Sequence, residues 1–341
     1  MNHLYIRTEA NVNTAMGHMM RCTSIAESAR KIGAEVTFIV AEEGSGKLPE
    51  SKEFEVICLN KKWDDFENEI PVIKELIKER NIKILLVDSY WVSSEYMEEV
   101  SRCTKLAYID DLHERIWPVD ILINYSVYSD CFNYEDEYNG KKLLLGTDYF
   151  PLRKEYIGIS KRKISSDVKE VLIVSGGSDE LHFMKRFAFR LSENEFFNNI
   201  NFTFILGNFN DDYDSITEIS NRVNNIKVLK TLPTLKDIML TSDLIISAGG
   251  TTLYETAAVS LPVITYILAD NQYYNATSFG KKKLALYAGD IREENTMNVL
   301  EEYLLEMINN KKLREEMSER LFNLLDGKGA DRIAEKLCNY Q

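Results

Sequence analysis

The stretch "NTAMGHMMRC", residues 13–22, places one of the chain's four histidines between the strand-like "HLYIR" and the helical "MMRCTSIAESARKIG". His18 therefore falls at or near the first turn of a helix that follows a strand. In an α/β chain that corner lies on the side where ligands bind, and an imidazole there suits a general base. The alternative is a purely structural histidine. Gly17 beside it leaves a backbone position without a side chain. Arg21, one turn on, could hold an anion or pair with an acid. Two further strand ends carry polar groups. "VDSYW" sets Asp88, Ser89 and Tyr90 after one apolar run, and "YIDDLHER" sets Asp110, Asp111 and His113 after another. The second trio resembles a metal cluster only loosely. With no matching His or Cys set, loop or capping carboxylates are the plainer reading, and no metal site is assigned.

Glycine corners dominate the second half. "SAGGTTLYETAAVSLPVI" (247–264) runs from a strand through Gly249, Gly250, Thr251 and Thr252 into a helix. A helix start offers unpaired N–H groups and the positive end of the macrodipole. The glycines let a phosphate approach the backbone, and the threonines add hydroxyl donors. Glu255, one turn in, could accept two ribose hydroxyls. A capping box of Thr252 with Glu255 is the structural alternative. "VSGGSDE" (174–180) repeats the strand–glycine turn with Gly176, Gly177 and Ser178, and its Asp179 also suits an early helical position. "ADNQYYNA" (269–276) puts Asn271 and Gln272 at another helix start, where amides can bind a sugar or simply cap.

The elements that must position these groups follow from hydrophobic patterning. "LYIR", "EVTFIV", "FEVICL", "KILLVD", "KLAYID", "DILIN" and "KLLLG" are short apolar runs of the kind found in buried parallel strands. Helical patterns separate several of them, over Met19 to Ile32 and about residues 64–81. The irregular, basic 149–167 stretch predicts a linker. The alternation then resumes with "KEVLIV", "NFTFILG", "IKVLK", "DLIISAGG" and "PVITYI", and residues 295–341 look wholly helical apart from a break at "DGKGADR". The plan is two tandem doubly wound α/β domains, 1–150 and 168–294, with a helical tail over 295–341. Strand C-terminal ends facing a common cleft would hold the ligand.

Bulk properties narrow the class. A length of 341 residues allows two domains. The net charge of −13 argues against broad nucleic-acid binding and against an anionic membrane surface. No apolar run approaches the roughly 18 residues of a membrane span, so no stable membrane insertion is expected. Five scattered cysteines without a CxxC pair suggest reduced thiols. The chain opens directly on a strand, and a cytoplasmic protein is the expectation.

Taken in order, "YIRTEANVNTAMGHMMRCTSIAESARKIGAEVTF", "VDSYW", "YIDDL", "DILIN", "YFPLRKEY", "VSGGSDE" and "SAGGTTLYETAAVSLPVITYILADNQ" resemble the UDP-sugar hydrolase family of pseudaminic acid biosynthesis and the related spore-coat polysaccharide proteins. That family is similar to GT-B glycosyltransferases. The resemblance implies a GT-B-like fold of two Rossmann-like domains. It also implies hydrolysis of a UDP-activated diacetamido-trideoxyhexose, without a cofactor, to UDP and free sugar. The family block GxGHxxR makes His18 the catalytic base, with Ala15 in place of its first glycine. Glu9 stands where the family has Asp after the strand-one Arg, which is Arg7. Tyr90 matches the active-site Tyr, and Asp88 would orient His18 or the water. Arg7, Gly17 and Arg21 become substrate contacts on the sugar side. Gly249, Gly250, Thr251 and Thr252 match the UDP corner, with Glu255 on the ribose. Gly176, Gly177 and Ser178 match the other phosphate-side turn, and Asn271 and Gln272 the block near the sugar. Two alternatives use the same residues: a glycosyltransferase with a UDP-sugar donor, and a non-catalytic subunit that binds a nucleotide sugar.

Overall fold

A computed structural model of the chain describes residues 2–11, 16–176, 179, 181–207, 210–230 and 232–340. In chain order the first half contains β1 (His3–Thr8), α1 (Gly17–Lys31), β2 (Glu35–Val40), α2 (Lys47–Ser51), β3 (Glu55–Cys58), α3 (Phe66–Glu79), β4 (Ile84–Asp88), α4 (Ser94–Ser101), β5 (Lys105–Ile109), β6 (Ile121–Asn124), α5 (Tyr134–Glu137) and β7 (Lys142–Leu145). The second half contains β8 (Glu170–Val174), α6 (Phe183–Glu193), β9 (Asn201–Leu206), α7 (Tyr213–Ser220), β10 (Ile226–Lys230), α8 (Lys236–Thr241), β11 (Leu244–Ala248), α9 (Thr252–Ala258), β12 (Val263–Ile267), α10 (Tyr273–Lys281), β13 (Leu286–Asp290), α11 (Thr296–Asn309), α12 (Lys311–Phe322) and α13 (Gly329–Cys338).

The chain divides into two compact units: residues 1–154 together with 326–341, and residues 155–325. The sheet of the first unit has the order β3-β2-β1-β4-β5-β6-β7 and is parallel throughout. Helices cover both faces of such a sheet, so its central strands are apolar at nearly every position; β4 is buried along its whole length. The order turns outward in both directions from β1 and β4, which makes the C-terminal ends of that pair the switch point where doubly wound sheets bind ligands.

Local chemistry sets the helix limits that matter for the site. Gly33, at φ +83°, ends α1 in the left-handed conformation, and its N–H donates to the Arg30 carbonyl at 3.0 Å. Asp65 caps α3 by accepting from the Asn68 N–H at 3.2 Å, and Ser93 caps α4 by accepting from the Tyr96 N–H at 3.2 Å.

The second unit repeats the plan. Its parallel sheet has the order β10-β9-β8-β11-β12-β13, with its switch at β8 and β11. Sequence patterning passed over β13. Only Ala288 of that strand is buried, because it lies at the sheet edge.

The 295–341 segment behaves as two pieces. α11 and α12 belong to the second unit. Buried Arg314 on α12 donates to the Ser165 and Ser166 carbonyls, both at 2.9 Å, and to the Met307 carbonyl. α13 belongs to the first unit and packs against α1 through a stripe of Ala330, Ile333, Ala334 and Leu337. Its first residue, Gly329, lies so close to Phe150 that an added Cβ would overlap the Phe150 backbone. Gly329→Ala is expected to lower stability by about 1–3 kcal/mol through overpacking, checked by urea unfolding.

Candidate active site

In the first unit the polar groups converge at the C-terminal ends of β1 and β4. His18 lies one residue into α1 and is only 5% exposed. Its Nδ1 is 2.6 Å from Asp88 Oδ1, at the last residue of β4. Asp88 is fully buried. Burial alone would push its carboxyl up, but the Arg21 guanidinium and the His18 ring outweigh burial and hold it well below the usual carboxylate range. An ionised Asp88 only accepts hydrogen bonds, so His18 Nδ1 carries the proton and donates it. The Arg21 terminal nitrogen 3.0 Å from Nδ1 is then a close approach and not a bond. In the neutral ring the lone pair is then on Nε2, to which no described residue bonds. A Cβ added at Gly17 would meet nothing within 4 Å beyond its chain neighbours.

Arg21 is the hub of this cluster. Its Nε donates to Asp88 Oδ2 at 2.6 Å and one terminal nitrogen donates to Asp88 Oδ1. The other terminal nitrogen donates to Asp111 Oδ2 at 2.5 Å and to the Tyr125 hydroxyl. The guanidinium is thus consumed by protein acceptors. Of the two roles weighed for Arg21, pairing with acids is the one the structure realises, and it is not free to hold a substrate anion. Tyr90 completes the group. Its hydroxyl donates to Asp111 Oδ2 at 2.8 Å, and its ring meets His18 edge-on at 4.4 Å between centroids. Burial, followed by the Asp111 charge, pushes the Tyr90 phenol well above its ordinary value, so it stays protonated. With its proton committed to Asp111, the Tyr90 oxygen can offer only lone pairs to a ligand.

Arg7 does not join the cluster. It is fully buried, with Nε and one terminal nitrogen donating to Glu69 at 2.7 and 2.6 Å and the other donating to Glu9 at 2.5 Å. The Phe66 ring lies 4.8 Å away. Arg7 is therefore a core ion pair and not a substrate contact. Glu9 also accepts from the Ala41 N–H at 2.5 Å, which ties the end of β1 to the end of β2. The loose trio separates as well. Asp110 accepts from Leu112 and His113 N–H groups and from the Tyr134 hydroxyl, Asp111 serves Arg21 and Tyr90, and His113 meets Glu137 at 2.6 Å. Among the described residues no group of three or more His, Cys, Asp or Glu side chains could hold a metal ion.

The second unit gathers the glycine corner. Buried Gly249 packs so tightly that an added Cβ would lie 2.7 Å from Ala276 Cβ, whereas Gly250 has nothing within 4 Å. Asn275, which sequence reasoning passed over, holds the corner. Its amide donates to the Gly249 and Gly250 carbonyls at 2.8 and 3.1 Å and accepts from the Tyr254 hydroxyl at 2.8 Å. Thr251 is exposed and Thr252 half-buried at the start of α9. The capping box is not formed. Thr251, which precedes the helix, makes no side-chain cap bond, and Glu255 accepts from the Tyr156 hydroxyl at 3.2 Å. Tyr156 lies in the irregular 149–167 stretch, where no sequence pattern signals it. Gln272 Oε1 accepts from the Leu268 N–H at 2.9 Å and closes its loop, while Asn271 is exposed. Gly176 turns the chain after β8 at φ +96°, which favours glycine. Asp179 accepts from the Phe183 and Met184 N–H groups at 2.9 and 2.8 Å and so takes the helix-start role. Gly177 and Ser178 lie outside the described residues, as does Ala15.

Two tandem Rossmann-like units with polar switch points define an α/β protein of the GT-B type, and its solved neighbours have that fold. MurG of Acinetobacter baumannii superposes with a TM-score of 0.72 at 11% identity, covering 99% of each chain. The UDP-GlcNAc 2-epimerase of Neisseria meningitidis, bound to UDP-GlcNAc, superposes with a TM-score of 0.69 at 13% identity, again over 99% of each. The sequence model of the glycosyltransferase family 28 C-terminal domain matches residues 171–337. The spore coat polysaccharide biosynthesis protein SpsG of Bacillus subtilis is 20% identical over 97% of this chain and 96% of its own length. The uncharacterised protein MJ1062 of Methanocaldococcus jannaschii is 26% identical over 76% of this chain, which spans about half of that relative, 54% of its length. No described helix is long and apolar enough to cross a membrane.

Two outcomes follow from the Arg21 hub. Arg21→Met strands the buried Asp88 and should cost about 3–5 kcal/mol, read by chemical unfolding. Asp88 has a folded-state pKa below its unfolded value of about 3.9. Its stabilisation is therefore complete above that value and is lost as pH falls through the folded one. Asp88→Asn should flatten the acid limb of a stability curve measured over roughly pH 2 to 5.

Proposed function

We propose that the chain hydrolyses a UDP-activated amino sugar in polysaccharide or nonulosonic acid biosynthesis, with His18 as the general base. The observation that carries this reading is the His18–Asp88 pair. An ionised carboxylate fixes the imidazole tautomer, so Nε2 can take a proton at the switch point of the sheet. Water attacks the anomeric carbon as the bond to the UDP β-phosphate oxygen breaks. Nε2 receives the water proton, UDP leaves with the bonding pair, and the configuration inverts. Asp88 balances the imidazolium that forms. Tyr90 accepts a hydrogen bond from the nucleophile or from the sugar.

The second unit supplies the nucleotide side. Gly249 and Gly250 leave the turn open but commit their own N–H groups to the Tyr266 and Ala248 carbonyls, so Thr251 and Thr252 offer the backbone and hydroxyl donors to the diphosphate, and Glu255, oriented by Tyr156, accepts the ribose hydroxyls. Asn271 and Gln272 stand at the neighbouring corner for the sugar. The family 28 match and the UDP-sugar complex of the epimerase support a UDP-sugar ligand, and the SpsG likeness supports a polysaccharide pathway.

Glycosyl transfer is the second reading, favoured by the family 28 match. An acceptor hydroxyl replaces water and gives its proton to the same Nε2. A purely binding role fits less well, because the His18–Asp88 pair is built as a base. The test is UDP release from a panel of UDP-amino sugars, with and without saccharide or lipid acceptors. His18→Ala should lower release by about 100- to 10,000-fold. Near-normal turnover in that variant rejects the mechanism, and release that requires an acceptor assigns transfer.

A further inference from the structure

Beside the candidate base, the first unit carries a row of aromatic rings of which the mechanism above uses only the Tyr90 hydroxyl. Tyr90, which meets His18 edge-on, lies 6.0 Å between ring centroids from Trp91. Trp91 in turn meets Trp63 edge-on at 4.8 Å and an interplanar angle of 85°. Trp91 follows β4 and Trp63 follows β3, so both stand on loops at strand C-terminal ends, the ligand side of the sheet. Their backbones are pinned. The Trp91 N–H donates to Ser89 Oγ at 3.2 Å, the Ser89 carbonyl accepts from the Tyr108 hydroxyl at 3.0 Å, and the Trp63 N–H donates to Glu42 Oε1 at 3.2 Å. The rings are not enclosed: Trp91 is 37% exposed and Trp63 half-buried. Neither indole N–H bonds to a described residue.

Held loops that present exposed indoles with open N–H donors, continuous with a buried acid–base pair, have the chemistry of a ligand wall rather than of a core. A pyranose ring matches it. Its axial C–H face is apolar and packs on an aromatic face, while its rim hydroxyls accept from indole N–H groups. We propose that Trp63, Trp91 and Tyr90 form a saccharide subsite that holds one pyranose ring next to His18. The inference rests on the UDP-sugar reading for its place in a reaction. The ring held there is either the sugar of the donor or that of a saccharide acceptor.

Tryptophan fluorescence tests it, because the third tryptophan, Trp117, is buried and serves as a constant background. Free amino sugars, saccharide acceptors, UDP and UDP-amino sugars are titrated separately, and nucleotide binding is measured in parallel by calorimetry. A sugar-bearing ligand, but not UDP alone, should shift the emission. Trp91→Ala and Trp63→Ala should each weaken saccharide binding by about tenfold, and Trp91→Phe should restore most of it. A rise in the donor KM in the Ala variants, with kcat kept, assigns the ring to the donor. A rise only in the acceptor KM assigns it to the acceptor. The proposal is overturned if UDP-sugars bind by calorimetry while no sugar moves the emission, or if the Ala variants bind every saccharide as the parent does. Sugar-dependent emission without any nucleotide binding would keep the subsite and reject the UDP reading.

Discussion

One guanidinium organises the first unit's chemistry. Arg21 reaches from α1 to Asp88 at the end of β4, to Asp111 beyond β5 and to Tyr125 beyond β6. Three strand ends are thereby tied to one helix. The two carboxylates it binds serve different partners: Asp88 takes the His18 N–H and Asp111 takes the Tyr90 hydroxyl. The cluster holds one more carboxylate than guanidinium. Such a buried network is costly when incomplete, and its completeness gives the imidazole one orientation.

The second unit reaches a comparable end by backbone means. Its corner at β11 is held by an amide, Asn275, that occupies the carbonyls of both glycines. The result is a turn whose open side, at Gly250, carries no side chain at all. Side-chain charge thus fixes the corner of one unit, and a single amide on two main-chain carbonyls fixes the corner of the other.

Much of this was legible in the sequence, and the reasons differ by residue. Parallel strands announce themselves as unbroken apolar runs, which is why β1 to β12 stood out while edge strand β13, with one buried residue, did not. His18, Asp88 and Tyr90 were legible because polar residues at strand C-terminal ends are conspicuous in such a pattern. The same rule misled at Arg7, which looks like a ligand-facing residue until Glu69, 62 positions away, closes on it in the core. Nothing local marks such a partner. Tyr156 and Asn275 were hidden for the same reason. Each acts on a corner made by a different segment, one from within an irregular stretch and one from a helix that shows an ordinary apolar face.

The docking of α13 on α1 has a consequence for the order in which the protein is made. The first unit is not a continuous stretch of chain: its opening 154 residues are completed only by the segment from Asp326 onward. While the ribosome is still adding that segment, all of the second unit already exists and can close its own sheet. The first unit meanwhile waits with part of the apolar flank of its leading helix bare. The half that carries His18 is thus begun before the second unit and completed after it, and during that interval its bare apolar flank is open to misassociation.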